Sequence, residues 1–131
     1  MSDYHSHDVQ VYYEDTDLSG AVYHANYLKF FERAREHVIG ADELRRLHDE
    51  EGLGFVVYEA DISFKRGARL GDQLEIRSEA VVESDYRAVF DQSAWPMDGD
   101  APYVEATIEI VCIDESGELV PLPGVIPEVG T

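Results

Sequence analysis

The chain has 131 residues, 44% hydrophobic and 11% aromatic, which suits a single domain over residues 1–131 with a buried core. Ten Lys and Arg stand against 28 Asp and Glu, and the net charge of −18 argues against binding to nucleic acids or anionic membranes, both of which need basic patches. No segment approaches the ~20 apolar residues of a membrane span, and the polar N-terminus lacks the pattern of a secretory signal. The single cysteine, Cys112, cannot form an internal disulfide, so we expect a cytoplasmic protein.

The excess of carboxylates leads us to expect that the protein is stabilised by salt. Only Lys29 and Lys65 among the ten cations are lysines. A net charge of this size opposes compact folding through self-repulsion unless salt screens it, and at ~1 M salt the Debye length is about 3 Å. We therefore expect a halophilic source. Equal stability in millimolar and molar salt would contradict that expectation.

Hydrophobic periodicity predicts a strand followed by a thick helix. Apolar residues at every second position predict a strand over residues 9–13. Over residues 23–39 the period becomes helical, with bulky apolar side chains on one face and charged ones on the other, and Gly40 marks the end. A short second helix is predicted over residues 41–51.

A run of strands comes next, with turns rich in glycine and proline between them. The strands are predicted at residues 56–64, 74–82, 86–94 and 104–112, with a last extended piece through Leu119 and Leu122. This order predicts an α+β fold, in which an antiparallel sheet of about five or six strands wraps around one long central helix. Because such a sheet keeps exposed edges, we expect the chain to pair with a second copy.

The segment between the first strand and the helix carries the most candidate functional groups. Asp15, Asp17, Gly20 and His24 come immediately before the helix. A helix N-terminus offers backbone N–H groups without intrahelical partners, which can stabilise an oxyanion on a carbonyl. Asp17 could act there as base or nucleophile, and Gly20 permits a tight turn or a close ligand approach. Acyl transfer is one interpretation of these residues, and plain helix caps are the other.

Residues 13–35, YEDTDLSGAVYHANYLKFFERAR, resemble the signature of the hydroxybenzoyl-CoA thioesterase family, and most closely its YbgC-like acyl-CoA thioesterases. The likeness is nearly continuous and includes an acid, a glycine and a histidine in the spacing of the family. Weaker likeness continues at residues 54–57 and 68–72, and the predicted strand order agrees along the rest of the chain. The sequence departs from the family at Leu18 and Ser19, where relatives often carry small residues or proline.

The resemblance implies a hot-dog fold, assembled as a homodimer or a dimer of dimers, that hydrolyses acyl-CoA thioesters. It implies that Asp17 is the catalytic carboxylate, that the N–H of His24 polarises the thioester carbonyl, and that the imidazole of His24 assists. No cofactor is implied, since CoA is part of the substrate. The further candidates for substrate binding, some of which could equally hold the loop in shape, are Gly20, Tyr23, Asn26 and Tyr27.

CoA carries phosphates, so local cations must overcome the negative field of the whole chain. Lys65, Arg66 and Arg69 cluster after one predicted strand, and Arg87 follows in the next hairpin. We expect these residues to contact the CoA phosphates, and the alternative is that they pair with surface carboxylates. The five histidines lack metal-ligand spacing, so no metal site is predicted.

Several alternatives stay open from the sequence. Glu32 and Glu36 are rival catalytic acids, because some related hot-dog thioesterases use a helix glutamate, although their charged stripe favours a solvated surface. His5 and His7 are expected in a mobile terminus. The alternative functions are a hot-dog enoyl-CoA hydratase or dehydratase and a non-catalytic acyl-CoA-binding protein.

Overall fold

One antiparallel sheet and one long helix dominate residues 3–130, the part of the chain that the computed structural model describes. The strands lie in the order β1-β3-β4-β5-β2, and short β6 pairs with the end of β5. No helix in this range is long and apolar enough to cross a bilayer. In chain order the elements are β1 (His5–Gln10), a 3-10 turn (Tyr13–Asp15), α1 (Asn26–Ile39), α2 (Ala41–Arg46), a π-helical turn (Leu47–Glu51), β2 (Gly54–Phe64), β3 (Gln73–Val82), β4 (Ala88–Pro96), β5 (Val104–Ile113) and β6 (Leu119–Val120).

The inner face of the sheet is buried beneath α1. Every second residue of β3, β4 and β5 is buried over most of their length, as the predicted alternation requires. Helix α1 covers this face with the buried side chains of Tyr27, Phe30, Phe31 and Ala34. Burying one large apolar side chain stabilises a fold by about 1.5–3 kcal/mol, so these residues fix the helix on the sheet. The predicted α+β architecture, a sheet around one central helix, is confirmed.

A chain of polar groups crosses this core. Arg35 is only 7% exposed, and its Nη1 donates to Oε1 of Gln92 at 3.0 Å. Nε2 of Gln92 donates to the backbone oxygen of Phe31 at 3.0 Å and to Oγ of Ser78 at 2.9 Å. Among the described residues, no carboxylate lies within ion-pair distance of Arg35. Burial therefore lowers the pKa of its guanidinium, because a buried charge without a counter-ion is unfavourable.

Strand β2 lies at an edge of the sheet and departs from the predicted alternation. Its register with β5 pairs Val57 with Ile110 and Glu59 with Glu109, so one extra residue is inserted between them. A one-residue slip moves side chains to the opposite face. Val57 therefore lies on the same face as buried Ile110, although it is half-exposed because β2 is an edge strand. A strict alternation over residues 56–64, which the sequence predicts, would place Val56 and Tyr58 on that face and is wrong there.

Strand β1 begins earlier than the sequence predicts. It spans His5–Gln10 rather than residues 9–13, and the side chains of His5 and His7 are partly buried. The ring of His7 stacks on that of His37 in α1, with centroids 4.3 Å apart. The expectation that these two histidines belong to a mobile terminus is therefore wrong, because they form a paired strand beneath the helix.

Both helical predictions hold with shifted boundaries. Helix α1 begins at Asn26 rather than at Tyr23, because the N–H of Tyr23 donates to the backbone oxygen of Asp15 at 2.8 Å and stays in the loop. Helix α2 and the π-helical turn after it cover the second predicted helix. Gly52 ends that turn in the left-handed conformation, with φ of 65°, as its position predicts.

We expect the protein to lose stability on acidification through the histidines of β1. Burial, and then the nearby His37, lower the pKa of both His5 and His7 below the ordinary value of 6.5. For His7, Arg33 acts in the same direction and Asp8 opposes it. The unfolded chain therefore takes up protons at these sites before the folded chain does, so this contribution to stability is complete above pH 6.5 and falls as the pH drops below it.

Denaturant titrations at about pH 7.5 and about pH 5.5 measure this effect. The loss of unfolding free energy on acidification should be smaller in the double variant His5→Gln/His7→Gln than in the native chain. Equal losses would contradict the assignment to these histidines.

Candidate active site

A buried carboxylate holds the loop before α1. Asp15 is 5% exposed, and its Oδ2 accepts the N–H of Tyr12 at 2.9 Å while its Oδ1 accepts Nδ2 of Asn26 at 3.0 Å. The side chain therefore ties the end of the first strand region to the first residue of α1. The plain-cap interpretation applies to Asp15, and its spacing from Tyr12 is that of a capping box. The position of Asp15 before the helix suggested a cap, but the sequence did not indicate that this side chain anchors the whole loop.

Asp17 lies two residues beyond this anchor, on an exposed turn. Its N–H donates to the oxygen of Ala21 at 2.9 Å, and its own backbone oxygen accepts the N–H of Gly20 at 3.1 Å. The hydroxyl of Ser19 and then its N–H donate to the Asp17 side chain, and they hold the pKa of that carboxyl below its ordinary 3.8, with a smaller effect in the same direction from His24. The carboxylate is therefore ionised and accessible at neutral pH.

His24 lies at the start of α1 and presents a backbone donor. The first helical hydrogen bonds run from the N–H of Asn26 to the oxygen of Tyr23 at 2.8 Å and from the N–H of Tyr27 to the oxygen of His24 at 3.3 Å. Within residues 3–130 no acceptor meets the N–H of His24 itself, so a ligand can accept it. The imidazole packs against the ring of Tyr23, at 4.6 Å between centroids, and edge-on against Phe64 at 5.9 Å.

The segment after β2 folds back over the Asp17 turn. The N–H of Leu70 donates to the oxygen of Gly20 at 3.2 Å. Gly20 has φ of 82°, and a Cβ at this position would lie 3.2 Å from Nη2 of Arg69. The left-handed backbone therefore favours glycine, and a Cβ here would also displace the guanidinium beside it. This arrangement brings Arg69 next to the turn that carries Asp17.

The other predicted site residues divide between the core and the surface. Tyr27 is buried, its hydroxyl accepts the N–H of Ala68 at 3.1 Å, and burial raises the pKa of its phenol. Asn26 is bound to the anchoring carboxylate, whereas Tyr23 is exposed. Substrate contact by these three residues stays a prediction, and the first two also have loop-holding contacts. Sequence reasoning missed Phe64, which is 51% exposed beside the imidazole.

The predicted phosphate-binding residues behave in two ways. Lys65, Arg66 and Arg69 form no ion pair with a carboxylate in the described part of the chain. The alternative that these three pair with surface acids therefore finds no support. Arg87 does form such pairs, the nearer with Glu109 at 3.6 Å. Its charge is therefore already partly compensated by carboxylates.

Two cavities lie away from the Asp17 turn. One is a groove of about 500 Å³ on the outer face of the sheet. The other, of about 510 Å³, lies between α1 and β2, and its lining includes Glu32, Arg35 and Glu36 together with apolar side chains. Neither cavity is lined by Asp17 or His24. The two rival acids therefore face a different space from the proposed catalytic turn.

Comparison with known families identifies the class of protein that this fold and site define. Residues 11–129 match the thioesterase-like superfamily, and the chain belongs to it. It is therefore a thioester hydrolase by class, built on the hot-dog fold that the sequence predicted.

Within the superfamily, the chain is similar to YbgC proteins. The acyl-CoA thioesterase YbgC of Haemophilus influenzae is 37% identical over 83% of this chain and 80% of its own length. The acyl-CoA thioester hydrolase YbgC of Escherichia coli is 36% identical over 81% of this chain and 79% of its own. The predicted resemblance to YbgC-like thioesterases is thus confirmed.

Solved structures agree with the fold. A probable thioesterase from Bartonella henselae has a TM-score of 0.81 at 35% identity, covering 92% of this chain and 99% of that one. A 1,4-dihydroxy-2-naphthoyl-CoA thioesterase from Synechocystis has a TM-score of 0.83, covering 92% of this chain and 90% of that one. Its identity is 24%, so that likeness concerns the fold alone.

We expect replacement of the anchoring Asp15 by Ala to destabilise the protein. The N–H of Tyr12 and the amide of Asn26 lose their acceptor, and one hydrogen bond to a charged group contributes about 1.5–3 kcal/mol. The free energy of unfolding in denaturant titrations should fall by at least about that amount. Glu14→Ala, in the same 3-10 turn but exposed, should change it by less than about 0.5 kcal/mol. Equal stability of the two variants would contradict the anchoring role.

Proposed function

We propose that this chain hydrolyses the thioester of a small acyl-CoA to the free acid and CoA, with Asp17 as the reacting carboxylate. The observation that carries the proposal is one anchored loop that presents both an exposed, ionised carboxylate, that of Asp17, and a backbone N–H without an acceptor within residues 3–130, that of His24. Acyl transfer requires a nucleophile or base beside a donor to the developing oxyanion. The names of the YbgC relatives support acyl-CoA as the substrate class.

In the proposed reaction, the thioester carbonyl oxygen accepts the N–H of His24. As negative charge develops on that oxygen, the donor and the positive end of the α1 dipole stabilise it, and one well-placed donor contributes about 3–4 kcal/mol. Asp17 then acts by one of two routes. Its oxygen attacks the carbonyl carbon, the C–S bond breaks, CoA leaves as thiolate, and water hydrolyses the mixed anhydride. Alternatively, Asp17 takes a proton from a water molecule that attacks the same carbon. The imidazole of His24 would orient water or protonate the thiolate.

The surroundings of the turn suit the rest of the substrate. Tyr23 and Phe64 offer exposed aromatic surface for the acyl group. Lys65, Arg66 and Arg69, which have no carboxylate partner among the described residues, offer cations for the CoA phosphates. Since the net charge of −18 repels those phosphates, KM for acyl-CoA should fall as salt rises from low to moderate concentration. A salt-rich cytoplasm would favour binding for the same reason, whereas a steady rise in KM would contradict the expectation that repulsion by the whole chain limits binding.

The central experiment is thiol release from a panel of short aliphatic and aromatic acyl-CoA thioesters, in low and molar salt, by the native chain and Asp17→Asn. We expect turnover that falls by at least about a hundredfold in Asp17→Asn, because the reacting carboxylate is lost. Glu32→Gln and Glu36→Gln are the matched controls and should retain activity.

Three results would contradict the proposal. Binding without thiol release would identify an acyl-CoA-binding protein, and a changed enoyl-CoA chromophore would identify a hydratase or dehydratase. Turnover that survives in Asp17→Asn and disappears in a glutamate variant would move the chemistry to α1.

The proposal includes a homodimer, or a dimer of two such dimers, formed along the β2 edge. This edge exposes Val57 and Tyr58 next to the cavity that includes Glu32, Arg35 and Glu36. A surface that meets its own copy across a two-fold axis must be self-complementary, and this one carries both acids and bases among apolar residues. A glutamate of a second copy would supply the carboxylate that buried Arg35 lacks within its own described chain.

Light scattering after size-exclusion chromatography measures the oligomeric state. We expect the native chain to be a dimer or tetramer, and Val57→Asp to shift it towards monomer by introducing a charge at the edge. Met97→Asp changes an equally exposed apolar residue outside the six strands and should not alter the mass. A native monomer at micromolar concentration, or equal masses for the two variants, would contradict the β2 interface.

A further inference from the structure

The carboxylate of Asp17 is held through only one of its oxygens. Oδ1 accepts two hydrogen bonds from Ser19, one from its N–H at 2.8 Å and one from its hydroxyl at 2.5 Å. Within residues 3–130 no protein group donates to Oδ2. The two oxygens of this exposed carboxylate are therefore chemically distinct before any substrate arrives.

The hydroxyl of Ser19 is itself fixed by a second contact. Its Oγ accepts the N–H of Ala21 at 3.3 Å while its single proton is donated to Asp17. A serine hydroxyl has one donor, so this geometry commits that donor to the carboxylate. Ala21 in turn pairs with Arg69 across an isolated bridge, which joins the turn to the segment after β2. The orientation of the Asp17 side chain is thereby linked to the same segment that carries the unpaired cations.

We propose that Ser19 is a positioning residue, which holds Asp17 through Oδ1 and leaves Oδ2 as the oxygen that reacts. This inference rests on the proposed function. Without the hydroxyl, the Asp17 side chain retains one hydrogen bond, from the N–H of Ser19, and can rotate so that either oxygen faces the substrate.

The same two hydrogen bonds favour the ionised form of the carboxylate. They are the largest causes that lower the pKa of Asp17, ahead of the opposing effect of desolvation and the favourable effect of His24. Removing the hydroxyl should therefore raise the pKa of this carboxyl. If Asp17 must be ionised to react, the acidic limb of the pH profile of kcat/KM then moves to higher pH.

The chain offers a matched control at its far end. Asp114 begins a similar turn, in which its Oδ1 accepts the N–H of Ser116 at 2.9 Å. There the second donor to the carboxylate is the N–H of Glu118 at 3.0 Å, and the serine hydroxyl makes no hydrogen bond to Asp114 among the described residues. Ser116→Ala therefore makes the same chemical change in a similar turn without removing a donor from a carboxylate.

The experiment compares the native chain with Ser19→Ala, Ser19→Thr and Ser116→Ala. At neutral pH we expect Ser19→Ala to lower kcat by roughly three- to tenfold with KM little changed, and to move the acidic limb to higher pH. Ser19→Thr keeps the hydroxyl and should restore both, and Ser116→Ala should match the native chain. A native pH profile in Ser19→Ala, or a loss that Ser19→Thr does not recover, would overturn the inference.

A titration of the Asp17 carboxyl carbon by NMR separates this inference from the proposed function. The pKa of Asp17 should be higher in Ser19→Ala than in the native chain and unchanged in Ser116→Ala. An unchanged value would overturn the positioning role even if the enzyme is active. If the pKa shifts but no acyl-CoA releases thiol, the hydrogen bonds from Ser19 to Asp17 would be supported. The role of Ser19 in the reaction and the proposed function would both be overturned.

Discussion

The buried carboxylate of Asp15 determines the geometry of the whole site. It accepts hydrogen bonds from the backbone of Tyr12 on one side and from the first residue of α1, Asn26, on the other. Since α1 is itself fixed on the sheet by its aromatic face, this carboxylate fixes the loop relative to the core. Asp17 and the N–H of His24 therefore lie on opposite arms of one anchored loop. A rigid scaffold of this kind lets two exposed groups keep a constant separation.

Charge and assembly are linked in this protein. The chain carries an excess of 18 negative charges, yet the cations of the segment after β2 stay without carboxylate partners in the described structure. A positive segment within a negative field gives an anionic substrate one favourable approach. In the cavity between α1 and β2, buried Arg35 also has no carboxylate within ion-pair distance among the described residues. In the proposed dimer, a second copy along β2 would supply one. Because the rest of the chain repels anions, these few cations are the places where an anionic group can bind.

Periodicity predicts those elements that have one buried face and one exposed face. Helix α1 and strands β3, β4 and β5 were predictable for this reason, whereas the catalytic roles of Asp17 and His24, which the family signature implies, stay predictions. Features that depend on a single extra residue or on packing between distant segments were not predictable. The irregularity after Val57 reverses the faces of half a strand, and the stacking of His7 on the helix extends β1. The N–H of Ser19 bonds to Asp17 in the spacing of an Asx turn, but the bond from its hydroxyl was not predictable, because Ser116 has the same spacing from Asp114 without such a bond.

In the proposed reaction, the N–H of His24 and the carboxylate of Asp17 meet the two reacting atoms of a thioester. A crystal structure of Asp17→Asn with an intact acyl-CoA measures this directly, because we expect the substitution to slow hydrolysis while keeping the side-chain shape. We expect the thioester carbonyl oxygen about 2.7–3.1 Å from the backbone nitrogen of His24, with the carbonyl carbon beside the residue 17 side chain. An acyl group bound instead in the cavity between α1 and β2, beside Glu32 and Glu36, would contradict it.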